Sequence, residues 1–395
     1  MRDGIYRALP IVLAFVVAAC SEDPTEQNAL LAPLPFLEVA VRETTITATD
    51  AQTFRKYVPM NGRYNLVGLS DGYTAYTPIS FYSNLFPWRD TVTVVSARLS
   101  LRAATFFGDS SGSFGFTVHR IERNWGQTTT TWDSVQSGFY DPSVLRGEYH
   151  GGVGSDTEMV YVELDTVMAR EWLRSVPPGE TVNTKYGFIL IPTPGSTVVR
   201  GFHSFDADTA KDRPSLRIIS VNNAQTVRDT MTFILGIDTF TGNVDGLESR
   251  TDLLSAQAGV VYRNILNFDV SFMSKGTLIS KAELLLERDP LTSRLNRFSG
   301  DSAIAVHTVI EKGVLDGFEA LSTQGLRKAG TADTYVADAR RAVQAWVGSA
   351  NYGLLIRVDG EREFQTFDLL TFHSPTASSA ALRPRLKILY SVPKN

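Results

Sequence analysis

The sequence predicts an all-β chain: two tandem β-sandwich domains, jelly-roll-like, each covered by one short helix. Aromatic residues make up 10% of the 395 residues, led by 22 Phe and 14 Tyr. With the frequent β-branched residues, they favour pleated, half-buried strands. Short apolar runs are separated by Gly/Ser/Asp-rich turn signals. Most tellingly, eight short motifs occur twice in the same order.

The N-terminus comes first. Arg2 and Arg7 precede the apolar run 8–17, which leads into Ala18-Ala19-Cys20. A charged segment, a short apolar core and a small-residue cleavage site are the parts of an export signal. A membrane-spanning helix needs about 20 apolar residues, and Ser21-Glu22-Asp23 ends this run well before that. The segment resembles a bacterial lipoprotein signal, in which Cys20 is lipidated and begins the mature chain. Stable attachment takes about two acyl chains, which that pathway supplies at one cysteine. A secretory peptide with an incidental cysteine is the plain alternative. Ser21, where an acidic residue could stand, points to the outer membrane rather than the inner one. Residues 1–19 are thus read as signal peptide and 20–40 as lipidated cysteine and tether.

Cys20 is the single cysteine, so the mature fold must rely on packing rather than disulfides. The remaining length suits two domains. A net charge of −4 with no basic block argues against nucleic-acid binding, which usually needs a basic stripe.

Beyond the tether the chain reads itself twice. Val41-Arg42-Glu43-Thr44 recurs as Val227-Arg228-Asp229-Thr230, Tyr76–Phe81 as Tyr262–Phe268, Ser96–Leu101 as Lys281–Leu286, and Val118-His119 as Val306-His307. The offset is 185 to 188 residues. Later, Ala169–Leu173 answers Ala342–Val347, Tyr186–Ile191 answers Tyr352–Ile356, Phe202-His203-Ser204 answers Phe372-His373-Ser374, and Arg213-Pro214-Ser215-Leu216 answers Arg383-Pro384-Arg385-Leu386. Here the offset is 166 to 174. The drop places extra loop in the first copy between His119 and Trp172. The domains are read as 41–222 and 226–391.

Within a copy, Ala97, Leu99 and Leu101 alternate with Ser96, Arg98, Ser100 and Arg102, a strand with one buried face. The apolar runs 188–191 and 354–356 suit central strands, and 108–113 suits a hairpin turn. One helix per copy is expected, at about 165–175 and 336–348. Apolar residues at 336, 339, 343, 346 and 347 make one stripe facing a sheet, so Trp172 and Trp346 belong to the core. Many short strands with one covering helix indicate a sandwich.

These residues bring a family into view. Phe268-Asp269-Val270-Ser271 and the strand from Ile279 to Leu286 are followed by a Val-His strand, a helix bearing Trp, and a closing Arg-Pro-x-Leu strand. The first copy adds Trp125-Gly126-Gln127-Thr128-Thr129-Thr130-Thr131-Trp132. The pattern resembles the DNRLRE modules, extracellular β-sandwiches associated with disaggregatases and classed among carbohydrate-binding modules. The likeness covers roughly 41–220 and 227–391. It departs at Gln127, where the family has glutamate, and at 311–318, where the second copy has no tryptophan.

Chemistry is sparse. The histidines 119, 307, 203 and 373 form repeat-related pairs. Zinc needs three or four ligands at closed spacing, and none accompany them, so hydrogen-bonded histidines within strands are expected, with no metal. Glycoside hydrolysis needs two carboxylates about 5–9.5 Å apart. Asp206 and Asp208 are the best acidic cluster, yet the second copy has Thr376 and Ser378 in the corresponding stretch. No nucleophile elbow, phosphate loop or dinucleotide fingerprint appears, so neither enzyme activity nor a cofactor is expected. Exposed aromatics remain, because sugars stack on flat rings. Trp125, Trp132, Tyr140 and Tyr149 are the candidate ligand-binding residues, with Tyr73 and Tyr76 a second possible set. The competing reading has the tryptophans plugging the sandwich end. The expectation is a lipid-anchored cell-envelope protein binding a glycan or polysaccharide. A structural or adhesion lipoprotein binding another envelope protein is the alternative, and a polysaccharide-active enzyme comes third.

Overall fold

A computed structural model describes residues 39–393, apart from 61, 83–90, 153, 175–184, 225, 245, 248, 296–302, 316 and 332. Cys20 and the expected signal peptide lie outside the described residues. Among the described residues the fold is all-β, with 53% strand and two short helices. The first copy supplies β1 (Val39–Arg55), β2 (Tyr64–Ser70), β3 (Tyr73–Phe81), β4 (Val92–Gly108), β5 (Ser113–Arg120), β6 (Gly147–Gly152), β7 (Met159–Leu164), α1 (Thr166–Leu173), β8 (Phe188–Pro192), β9 (Val198–His203) and β10 (Ser215–Asn222). The second supplies β11 (Arg228–Asp238), β12 (Thr241–Asn243), β13 (Leu253–Gln257), β14 (Tyr262–Phe268), β15 (Leu278–Glu287), β16 (Ile304–Val309), β17 (Phe318–Arg327), β18 (Thr334–Asp338), α2 (Arg340–Gly348), β19 (Leu354–Val358), β20 (Leu369–His373) and β21 (Arg385–Pro393).

Each sheet closes into an eight-strand, barrel-like ring. Ring one runs β10-β11-β3-β8-β5-β6-β7-β4 and back to β10. Ring two runs β21-β1-β14-β19-β16-β17-β18-β15 and back to β21. The orders match strand for strand, with β2 and β9, or β13 and β20, as a pair attached at one side. The repeat in the sequence is therefore a repeat of topology.

One strand in each ring comes from the other copy. β1 does not close the ring of its own copy; it pairs with β21 from Val39↔Pro393 to Thr47↔Arg385 and then with β14 from Ala48↔Phe268 to Arg55↔Tyr262. Its counterpart β11 pairs with β10 and β3 in ring one. The copies have exchanged their first strands, the intramolecular form of a domain swap. This corrects the boundaries 41–222 and 226–391, since residues 39–55 complete ring two and 228–238 complete ring one. The physical reason is local: β11 follows β10 through a short hairpin in which the Asn222 carboxamide oxygen accepts from the backbone N–H of Thr226 and Val227. That hairpin takes ring one's slot, and β1 takes the one left. Val39 and Ala40, read as the end of the tether, already belong to β1.

An eight-strand ring is just wide enough to be filled by its own side chains, and both rings are filled. In ring one Ala97, Leu99 and Leu101 point inward beside Phe116, Phe188 and Phe233. In ring two Leu284, Leu286, Ile356 and Leu386 do so. The helices cover each core: Trp172 packs 4.7 Å from Phe188, and Trp346 joins the core of ring two. The Asp165 carboxylate caps α1 by accepting from Val167 N–H. The second helix begins at Arg340 rather than 336, because 334–338 continue as β18 with Tyr335 and Ala337 turned inward. Among the described residues no helix is long and apolar enough to cross a membrane.

A third apolar cluster lies between the rings. Tyr73, Phe107, Phe240, Tyr262 and Phe367 interlock there. The Tyr73 hydroxyl donates to the Gln257 carboxamide oxygen at 2.8 Å, while the Gln257 NH₂ donates to the carbonyls of Ala258 and Phe367. The two rings are joined by a core, not by a tether.

Candidate functional site

With both rings filled, a ligand must bind on loops or between the rings. The main loop difference is the segment joining β5 to β6, which in the first copy runs through 121–146 and in the second only through 310–317. It folds on its own small core of Ile121, Val135, Phe139 and Ile189. Ile121 bridges Tyr140, and Glu122 N–H donates to Phe139 O. The threonine run curls back on Gly126, whose carbonyl accepts from Thr129 and Thr130 N–H.

This arrangement brings three of the four sequence candidates together. Trp125 and Tyr140 pack half-buried against the small core, as does Tyr76 from β3. The Trp132 ring lies 4.8 Å from the Tyr76 ring at 43°. The Trp125 indole N–H donates to Tyr186 O at 2.7 Å, fixing that ring. Burial raises the pKa of both Tyr76 and Tyr140, so the two phenols stay neutral donors. Tyr149 stands apart on β6, stacked on Phe116 at 5.6 Å on the flank of ring one. Of the second possible set, Tyr73 is in the inter-ring core and cannot present a face, whereas Tyr76 can.

Of the histidine pairs, His119 and His307 are held within the fold, whereas His203 and His373 are half-exposed. His119 and His307 are 5% and 3% exposed. Nδ1 of His119 faces the carbonyls of Asp141 and Val144, and Nδ1 of His307 faces that of Glu319. Arg357 Nε–H donates to His307 Nε2, which fixes that ring as the neutral Nδ1–H tautomer. Desolvation is the main force holding both imidazoles below their ordinary pKa. Asp208 pairs with Arg63 at 2.5 Å. Among the described residues no group of three or more His, Cys, Asp or Glu converges as a metal site would require.

Two features had no motif to announce them. Glu363, fully buried, receives a bidentate pair from Arg263 Nε and Nη2 at 2.8 Å each and a third bond from Arg357 Nη1 at 2.9 Å. One signal existed: Arg263 interrupts the strand pattern of β14, and a charge inside a buried strand needs a partner. The carboxylate clamps the turn Gly360–Phe364 onto the second copy. That turn borders the second feature, a cavity of about 300 Å³ between the rings, walled by β2, β4 and β9 on one side and the turn on the other.

Compared with family models, curated proteins and solved structures, the chain matches none.

Proposed function

We propose that this is a lipid-anchored cell-envelope protein that binds a glycan or polysaccharide through its first ring and has no catalytic centre of its own. The observation that carries this reading is the half-buried aromatic group of Trp125, Trp132 and Tyr140 on a folded, threonine-rich loop with Tyr76 of β3 beside them. Half-buried rings are held rigid yet keep a face or edge for the C–H groups of a sugar, and the hydroxyls can orient its polar groups. Their rigidity lowers the entropic cost of binding. The resemblance to DNRLRE modules supports the same reading, as does viewing each ring as a flattened, jelly-roll-like sandwich. Cys20 and the preceding apolar run support attachment to the outer membrane.

The test uses residues 21–395, which hold every strand of both rings, on a glycan array and in polysaccharide pull-downs. Binding that is lost in Trp132→Ala and weakened in Tyr140→Ala, with unchanged thermal unfolding, supports the proposal; absence of any glycan binding refutes it. Cys20→Ser should release the full chain from the membrane fraction. The alternative, adhesion to another envelope protein, draws on the exposed Leu321 and Leu326 of β17 and Ile310 before it. It predicts that Leu321→Asp abolishes partner binding and leaves polysaccharide binding intact.

A further inference from the structure

The end of ring two that receives the chain from Cys20 is apolar on its outside. Along β1 the residues Thr44, Ile46 and Ala48 take the inner side, so Val39 and Val41 point outward. Val41 is 67% exposed, and Val39 beside it is exposed too. Across Ser391 of β21, Val41 stands in one row with Leu278, the first residue of β15, which is 61% exposed. Phe272, on the loop joining β14 to β15, lies 5.9 Å from the Tyr390 ring and is itself exposed. Four large apolar side chains thus gather where β1 begins and β21 ends.

The fold does not require them. By the shared register the same row in ring one is Arg228, Val221 and Thr93, so that ring closes with a cation and a hydroxyl in the two outward places. The rings differ in what leads into the closing strand. In ring one it is a hairpin, and in ring two it is the chain from Cys20. Exposed apolar side chains gathered in one place mark a contact surface, and the tether says which surface lies within reach.

Between Cys20 and Val39 the chain extends at most about 65 Å. Residues 29–37, Ala-Leu-Leu-Ala-Pro-Leu-Pro-Phe-Leu, carry no charge, so the approach to the patch is apolar as well. With Cys20 lipidated, contact between patch and bilayer becomes an intramolecular event, at an effective concentration of about millimolar order. A small apolar patch that would bind lipid only weakly from solution then stays seated. Lys275, exposed on the same loop as Phe272, suits an interface in which a cation keeps its head among phosphates.

We infer that ring two rests on the lipid bilayer through Val39, Val41, Phe272 and Leu278. The inference rests on the lipid-anchor reading and is independent of the glycan one.

Cys20 is the single cysteine and lipidation occupies its sulfur, so an introduced cysteine takes one polarity-sensitive fluorophore. The full lipidated chain is placed in vesicles of phosphatidylethanolamine and phosphatidylglycerol, with and without lipid carrying a shallow nitroxide quencher. A label at Leu278→Cys should lose most of its emission to the quencher, since an interfacial apolar face sits about 5–10 Å into the boundary. A label at Leu291→Cys should keep its emission, because this exposed leucine lies beyond the other end of β15, about 30 Å along the strand. Val41→Asp should remove the quenching at position 278 and leave thermal unfolding unchanged; if that variant does not unfold cooperatively, Phe272→Asp serves. An anchored chain with no quenching at 278, equal quenching at 278 and 291, or quenching that persists in a folded aspartate variant would each overturn the inference and leave the anchor standing. So would a label at 278 that is already shielded in residues 21–395 without vesicles and turns to solvent when 29–37 are deleted, since the chain's own segment would then cover the patch. A chain that does not enter the vesicles, with Cys20 unmodified by mass spectrometry, would overturn the anchor and the inference together.

Discussion

The two rings have one topology and are closed by strands of unequal quality. In ring one the closing strand is β11, which buries Met231, Phe233 and Leu235. In ring two it is β1, which reaches its slot from the opposite end of the chain. Phe233 faces Leu216 and Ile46 faces Leu386, and those two leucines end the same Arg-Pro-x-Leu motif, so Ile46 occupies the place of Phe233. By the same register Thr44 and Ala48 stand where Met231 and Leu235 do. Of the three, Ala48 alone is buried, while Thr44 and Ile46 are half-exposed. Even the irregularity is shared: each strand shifts register just after the third inward position, at Ala48/Asp50 and at Leu235/Ile237. The long-range closure is thus made with the smaller side chains. Ring one is closed by a neighbour in sequence and a large apolar face, ring two by a distant strand and a slight one.

The sharpest way to break this comparison is to separate the rings. Residues 56–243 contain every strand of ring one, and far-UV circular dichroism should show one cooperative thermal transition. Residues 226–395 lack β1, and ring two stands open between β21 and β14. That fragment should show no cooperative transition alone and should gain one when a peptide of residues 39–55 is added. A cooperative melt of 226–395 by itself would mean that β11 can close either ring.

The second contrast is electrostatic. By the strand register Arg263 of ring two stands where ring one has the neutral Tyr76, beside Thr77, whose hydroxyl donates to Leu66 O at 2.7 Å. Removing one member of a buried ion pair leaves an uncompensated charge and costs about 3–5 kcal/mol. Glu363→Ala strands two guanidinium groups and should show a loss of that size in urea unfolding. Thr77→Val removes one neutral hydrogen bond and should cost about 1 kcal/mol.

Much of the fold was legible in the residues, and the exchange was not. Alternation in 96–102 marked a strand with one buried face, and Leu99 is fully buried. Repeated motifs gave the copies, and the change of offset gave the long loop at 121–146. Yet the motif beginning at Val41 resembles the motif beginning at Val227, and the pairing register sets the two one residue apart, with Thr44 at the place of Met231; a connection, not a pattern, decides which strand takes which slot. The helical stripe at 336–347 ran into the two-residue period of Tyr335 and Ala337, and pairing with β15 won. Trp125 and Trp132 were visible as flanks of a polar run. The inter-ring cavity was not, because Tyr64 and Phe367 meet there from opposite ends of the chain.

The third contrast lies in the closing strands themselves. Phe233→Ala opens a cavity in a filled ring and should cost about 3–5 kcal/mol. Ile46→Ala, at the matching place, removes a half-exposed side chain and should cost about 1–2 kcal/mol. Denaturant unfolding of the two variants under one condition compares the slots directly. Equal losses would show that both closures are equally tight.

The last contrast is a pH dependence of one carboxyl in ring one. Asp238, near the end of β11, is 2% exposed and its pKa is raised to about 6, chiefly by burial, although it accepts from Asn65 at 2.5 Å and from Phe205 N–H at 3.0 Å. Its counterpart on β1 is Ala51, which cannot titrate. A carboxyl whose folded pKa lies above its ordinary 3.8 favours the folded state most when protonated. Its contribution is complete below pH 3.8, falls as the pH rises to about 6, and is constant above. One pKa unit corresponds to about 1.4 kcal/mol, so the change is at most about 3 kcal/mol. Asp238→Asn keeps an oxygen for both donors and removes the charge. Relative to the wild type it should gain stability between pH 4 and 7, with the difference level above about pH 7. A difference that does not vary with pH would show that the carboxyl is already ionised throughout that range in the folded ring.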